Sequence, residues 1–252
     1  VMTQRLIIDW SWYLYRSFFG MPEMKNSRWE PINAIYWFFR LIFRLLQTKP
    51  SHMAIVWDAP AQTLRQQEYA EYKANRPSIP DDFRQQIPLI KKYCQWAGFH
   101  TFEYPWYEAD DIIWTLALSS NQQCEVYTAD KDMKQLLSEK IYIVDPMKDI
   151  KRTKDSFLQE NWFDSCYFLD YLAMIWDTAD NIPWIMWVVP KTAQKLVIKY
   201  WSLDWIYDHL DEIDENLRNK LINWREQVYK AKWLMTMMEV PDIKNLDLCE
   251  VK

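Results

Sequence analysis

Nine carboxylates recur in five short clusters along this 252-residue chain, and no histidine or cysteine stands among them. The clusters read Ile8-Asp9-Trp10, Val56-Trp57-Asp58-Ala59, Tyr107-Glu108-Ala109-Asp110-Asp111, Thr128-Ala129-Asp130-Lys131-Asp132 and Trp176-Asp177-Thr178-Ala179-Asp180-Asn181-Ile182-Pro183. Donors that are all carboxylate oxygens suit hard cations, Mg²⁺ or Mn²⁺. The reactions such ions most often serve are reactions of phosphate. Each cluster taken alone has a plainer meaning. Glu108, Asp110 and Asp111 open a helix, where acids gain a few tenths of a kcal/mol from the dipole. Asp130-Lys131-Asp132 would pass for a polar turn, and Asp177 with Asp180 for a helix cap. All five together are harder to explain that way. Like charges gathered in one crevice repel strongly unless a cation sits among them.

The elements around these acids have to bring them together. Residues 5–9, 52–57, 99–103, 125–129 and 141–144 are short apolar runs, and three of them end at or beside Asp9, Asp58 and Asp130. Helical patterns cover 32–47, 107–119 and 131–137, and from 153 onward only helices are expected, near 153–160, 164–175, 190–200, 203–209 and 215–235. Strands alternating with helices predict an α/β fold with a mainly parallel central sheet flanked by helices. Ligands of such sheets sit at the carboxyl ends of the strands, where the acids fall. The expected division is an α/β core over 1–150 and a helical region over 151–252, with the tail from about 239 a loose end.

Two basic stretches complement the acids. Residues 61–96 are polar and basic, with a helical pattern interrupted at Pro77, Pro80 and Pro88. Within them, Lys73 and Arg76 would share a helical face three residues apart. That pair is either a solvated surface or a clamp for phosphate, with Tyr72 available to stack on a base. Arg65, Arg84, Lys91 and Lys92 extend the basic character. Pro190-Lys191-Thr192-Ala193-Gln194-Lys195 starts a helix with Lys191, Lys195 and Lys199 in one row. Helix N-terminal amides and lysines bind phosphate without reading sequence.

Composition limits the alternatives. No apolar run approaches the ~18 residues of a membrane span, and the first residues do not read as a signal peptide. The 4 cysteines have no C-x-x-C spacing, so a cytoplasmic protein without a zinc or disulfide framework is expected. A formal charge of −5 argues against a nucleic-acid partner only until the nine clustered acids are set against metal ions.

In this order, Tyr-Lys-Ala-Asn-Arg-Pro at 72–77, Tyr-Glu-Ala-Asp-Asp at 107–111, Thr-Ala-Asp-Lys-Asp at 128–132, Asp-Thr-Ala-Asp-Asn-Ile-Pro at 177–183 and Pro-Lys-Thr-Ala-Gln-Lys-Leu at 190–196 resemble the bacterial and phage 5′ nucleases. That family holds the 5′–3′ exonuclease domain of DNA polymerase I, stand-alone 5′–3′ exonucleases and flap endonucleases. The resemblance runs from about residue 6 to about residue 241. It implies a PIN-like fold, a helical arch near 61–96 and a helix–hairpin–helix element near 184–200. It also implies a two-metal DNA hydrolase, acting as 5′–3′ exonuclease or 5′-flap endonuclease. The metal ligands would be Asp9, Asp58, Glu108, Asp110, Asp111, Asp130, Asp132, Asp177 and Asp180, with Asp111 and Asp177 acting through water. Lys73 and Arg76 would be the catalytic cations of the arch. Arg65, Tyr72, Lys191, Thr192 and Lys195 would contact DNA. Two Mg²⁺ ions, with Mn²⁺ as a substitute and K⁺ at the hairpin, are the implied cofactors. DNA with a 5′ single-stranded end is the implied partner, with a polymerase in cis or in trans, and a monomer is expected.

The chain departs from the family pattern at its glycines. It holds 2 Gly and 16 Trp, where about 7% Gly, roughly 18 residues, would be ordinary. Trp10, Trp29, Trp37, Trp106, Trp114, Trp176, Trp184, Trp187 and Trp201 stand where the family has glycine, and Val189 replaces another. The pattern fits engineering or a decoding in which a glycine codon is written as tryptophan. It leaves two competing readings beside the nuclease: a non-catalytic or impaired DNA-binding relative, and a PIN-like ribonuclease.

Overall fold

The computed structural model describes residues 4–119, 121–175, 181 and 188–244. Six strands form its sheet: β1 (Gln4–Asp9), β2 (His52–Val56), β3 (His100–Phe102), β4 (Gln123–Tyr127), β5 (Ile141–Asp145) and β6 (Ile150–Arg152). Their order is β3-β2-β1-β4-β5-β6, parallel except for the antiparallel edge strand β6. The chain steps from β1 outward to β3 on one side, then returns to place β4 on the other side of β1. The point where the order reverses is therefore the β1–β4 border, the usual crevice of an open α/β sheet.

Both faces of β1 are covered, because its residues alternate between two cores. Leu6 and Ile8 join the cluster that holds Phe38, Ile42, Ile55 and Ile90. Ile7 joins the cluster of Val56, Ile112, Val126 and Leu172. The first face is closed by α1 (Trp10–Gly20), α2 (Asn33–Leu46) and α5 (Gln86–Trp96), with the short α3 (Leu64–Glu68) and α4 (Asp81–Arg84) preceding α5. The second face carries α6 (Ala109–Leu118), α7 (Lys154–Asn161) and α8 (Phe168–Met174). Helices α9 (Pro190–Tyr200), α10 (Leu203–Asp208), α11 (Glu215–Asn223) and α12 (Arg225–Met235) continue that core, with Val197, Leu203, Leu221 and Leu234 fully buried.

One helix start is finished from a distance. The Gln86 side chain accepts from the Ala34 and Ile35 amides at 3.0 and 3.2 Å, and its own amide donates to Asn33 Oδ1 at 3.1 Å. Ile32, the residue before α2, has no side-chain oxygen to do this.

One helix is added to the reading from sequence and three readings are corrected. The 10–20 segment is a helix, with the Asp9 carboxylate accepting from the Trp12 amide at its start. The 131–137 helix is a 3₁₀ turn at Asp132–Leu136. Residues 69–77 do not continue a helix: α3 ends at Glu68, and Lys73 has a left-handed backbone at φ 58°. The tail from 239 is held as far as 244, because Val240 and Ile243 are fully buried.

Tryptophan takes backbone conformations that suit glycine. Trp29, Trp106, Trp162 and Trp201 have φ of 64°, 76°, 65° and 67°, a region costing about 1–2 kcal/mol per residue without glycine. Trp162 and Trp201 sit one residue past α7 and α9, and their amides reach back to the Leu158 and Val197 carbonyls. Glycine is the usual residue at that position. Trp162 was not among the positions singled out in the sequence. Trp10, Trp37 and Trp114 lie in helices, and Val189 is extended at φ −78°, so none of these needs glycine for its backbone angle. Trp176, Trp184 and Trp187 lie outside the described residues.

Candidate active site

The crevice at the β1–β4 border collects acids from four places. Asp9 ends β1 and is buried, with Oδ2 accepting from the Thr128 hydroxyl at 2.7 Å. Asp58 follows β2 and accepts the Ala109 amide at 2.9 Å, which places it against the N-terminus of α6. Asp130 follows β4, where its amide donates to Thr128 Oγ1 at 3.0 Å and its Oδ1 accepts from the Asp132 amide at 2.9 Å. Glu108 and Asp110 come from the start of α6.

These acids share one electrostatic field. Burial pushes Asp9 up from its ordinary 3.8 to about 7, and the negative charges of Asp58 and Asp130 add to it against the Thr128 hydrogen bond. Burial likewise raises Asp110 well above the usual carboxylate range, with Asp130, Asp9 and Glu108 adding repulsion and Lys73 opposing it. Strand-end and helix-start carboxylates raised by each other's charge are a set that a cation would relieve. Their donors are all oxygens, which fits a hard divalent ion. Among the described residues no three such groups converge closely enough to hold one ion together. Asp177 and Asp180 lie outside the described residues.

Beside the crevice lies a second group in which charges are matched. Arg65 is buried, and its guanidinium holds Asp111 with two bonds of 2.7 Å. It also donates to Glu108 Oε2 at 3.1 Å and to the Thr236 carbonyl at 2.6 Å. Asp111 is fully buried and accepts two amides besides, from Glu108 at 3.1 Å and from Met238 at 2.7 Å. Burial works against the Arg65 charge, but Asp111 and Glu108 more than offset it and hold its proton more tightly than usual. The Tyr72 hydroxyl donates to Glu108 Oε2 at 3.1 Å, and Lys73 Nζ lies 2.7 Å from Glu108 Oε1.

These contacts correct three expectations. Arg65 does not face solvent and cannot reach DNA, because its guanidinium is spent inside the protein. Tyr72 is 4% exposed, so it cannot stack on a base. Asp111 points away from the crevice into the Arg65 pair, which leaves no oxygen edge for a metal-bound water. Lys73 does reach the site, through a left-handed turn rather than a helix face, and Arg76 is exposed in the same loop. Trp10, beside Asp9, is turned into the core against Phe38 and Trp57. In the helical region Lys191 and Lys195 are exposed along α9, Thr192 is half-buried, and Lys199 is paired with Glu212 at 3.1 Å. Arg84 is paired with Asp81, Lys91 with Glu103, and Lys92 lies over the Trp96 ring.

Comparison with known proteins gives consistent results along the chain. Residues 4–163 match the family described as 5′-3′ exonuclease, N-terminal resolvase-like domain, and residues 164–252 match 5′-3′ exonuclease, C-terminal SAM fold. The chain is 37% identical to a 5′-3′ exonuclease of Aquifex aeolicus, covering 100% of this chain and 90% of that protein. It is 34% identical to DNA polymerase I of Caldicellulosiruptor bescii over 92% of this chain, which is only 29% of the polymerase. The fold is similar to the bacteriophage T5 flap endonuclease, solved as a pseudo-enzyme-product complex with DNA and metal ions. There the TM-score is 0.77 at 17% identity, covering 96% and 90% of the two chains. It is also similar to the catalytic core of Rad2 with DNA substrate, with a TM-score of 0.61 at 17% identity, covering 96% and 85%. The architecture is thus a PIN-like resolvase domain joined to a helical SAM-like fold.

Proposed function

Because this chain belongs to the 5′-3′ exonuclease family in both its resolvase-like and its SAM-fold parts, we propose that it hydrolyses DNA phosphodiester bonds at 5′ single-stranded ends and 5′ flaps, using Mg²⁺ held in the β1–β4 crevice. The observation that carries this reading is the raising of both Asp9 and Asp110 at the strand-end crevice, first by burial and then by the carboxylates around each. Such unmatched charge at a strand-end crevice is what divalent ions neutralise.

Asp9, Asp58, Glu108 and Asp110, which do not converge on one point in this structure, would draw in around one ion, and Asp130 and Asp132 around a second, with Asp177 and Asp180 completing the set. Bound there, two divalent ions would activate a water and stabilise the leaving oxygen of the phosphodiester. Lys73 and Arg76, on the loop above the crevice, would grip the scissile phosphate, and Lys73 would turn from Glu108 toward it. Lys191, Thr192 and Lys195 at the start of α9 would hold duplex phosphates through lysine charge and helix-end amides. A K⁺ ion at the preceding hairpin, a polymerase partner in cis or in trans, and action as a monomer belong to the same proposal. The T5 and Rad2 complexes with DNA support the choice of substrate.

A labelled 5′-flap DNA incubated with Mg²⁺ or with EDTA tests the reading, with Asp110→Asn as control. Mg²⁺-dependent cleavage near the flap junction that disappears in the control is expected. A folded protein that binds the flap and leaves it intact would overturn the proposal.

A further inference from the structure

We propose that Arg65 and Asp111 are positioning residues for the metal centre: their buried ion pair sets the first turn of α6 and fixes Glu108 at the crevice. This rests on the nuclease reading above. Arg65 and Asp111 are 2% and 0% exposed and joined by two bonds of 2.7 Å. Asp110 and Asp111 are adjacent in a helix, where successive side chains point about 100° apart. Asp110 therefore serves the crevice while Asp111 serves the clamp. Both ends of Glu108 are governed by the group. Its amide is bonded to Asp111, its Oε2 to Arg65 and Tyr72, and its Oε1 to Lys73. Lys73 is the partner a cation can replace at Oε1, because Arg65 and Tyr72 keep Oε2. The clamp also reaches the end of the helical region through the Thr236 carbonyl and the Met238 amide. It thus ties the loop of Lys73, the start of α6 and residues 236–238 to one centre. Groups that orient a metal ligand from behind alter metal affinity when removed.

The test uses the full chain and the double variant Arg65→Met with Asp111→Leu, which removes both charges and leaves neither buried alone. Thermal unfolding establishes that it folds. Mn²⁺ binding without DNA is read by electron paramagnetic resonance, and flap cleavage is read against Mg²⁺ concentration. The expected result is Mn²⁺ affinity reduced by about tenfold or more, the same factor in Mg²⁺ demand, and little change in KM for DNA. A folded double variant with unchanged Mn²⁺ affinity would overturn the positioning role. A wild-type chain that binds Mn²⁺ and does not cleave would overturn the nuclease reading alone, since the Mn²⁺ comparison still decides the clamp.

A different observation carries a second inference. Four exposed tryptophans have left-handed backbones, two of them just past helix ends, while the chain holds 2 Gly. At these positions the indole stays at least half exposed and a β-carbon adds strain, so burial does little to favour tryptophan. We infer that the organism's own translation places glycine at 29, 106, 162 and 201. Peptide mass spectrometry of the protein purified from its source decides this. Glycine masses at the four positions are expected, and tryptophan masses would overturn the inference.

Discussion

Two groups of acids start within four residues of each other on α6, and the protein treats them in opposite ways. In the crevice, Asp9 and Asp110 face other carboxylates and are driven toward their neutral forms. Behind it, Asp111 is paired with Arg65 by two bonds, and Glu108 stands between the two groups, with Oε2 on Arg65 and Oε1 on Lys73. The first group carries an excess of negative charge that a bound cation would neutralise. The second is closed and contributes rigidity. Residue type does not separate them; orientation around one helical turn does.

Removing one partner from the closed group should give the largest effect. Asp111→Ala strands a buried guanidinium, which costs about 3–5 kcal/mol. Chemical denaturation should show that loss, and a change below about 1 kcal/mol would mean Arg65 finds water instead. The open group should behave in the reverse sense. Asp110→Asn should lower flap cleavage by more than about a hundredfold, since a ligand matters at least as much as the groups behind it. It should leave stability unchanged or raised, because it removes repulsion. A variant that both unfolds and loses activity would erase the distinction between the two groups.

Acidity sharpens the contrast further. Asp9 has its carboxyl raised from 3.8 to about 7, so folding favours its protonated form. That stability is complete below pH 3.8 and is lost as pH rises toward 7. Metal-free protein should therefore lose about 2 kcal/mol or more over that window, roughly 4 °C or more in Tm. Mg²⁺ should raise Tm more at pH 8 than at pH 5. Equal Mg²⁺ shifts at both values would show that the crevice acids are already satisfied. The smallest expected effect lies away from both groups: Trp162→Gly and Trp201→Gly should each stabilise by about 1–2 kcal/mol, with Trp→Ala at the same sites giving much less. Differential scanning fluorimetry of the four variants reads this directly.

Much of the fold was legible because short apolar runs ending in acids have few other meanings, and β1, β2, β4 and β5 fall where those runs lie. Helix α1 was missed because its aromatic-rich residues lack a clean helical stripe, and its cap is Asp9, which was weighed only as a ligand. Arg65 and Tyr72 were misplaced for a physical reason. Sequence shows a basic and an aromatic residue in a polar stretch, but not that Glu108 and Asp111, about forty residues later, bury them. One signal was available. Two adjacent acids in a helix point about 100° apart, so a buried cation elsewhere in the chain was a partner to look for behind one of them. The four left-handed tryptophans were partly legible from the shortage of glycine, though only backbone angles separate them from Trp10, which has a place in the core.

The Gln86 side chain that completes the start of α2 is made 52 residues after the amide it receives. During synthesis α2 therefore emerges with its first turn unfinished and open to water. That cap can form only once Gln86 has been made. A nascent chain stopped before residue 86 would show a frayed α2, however complete the strands beneath it.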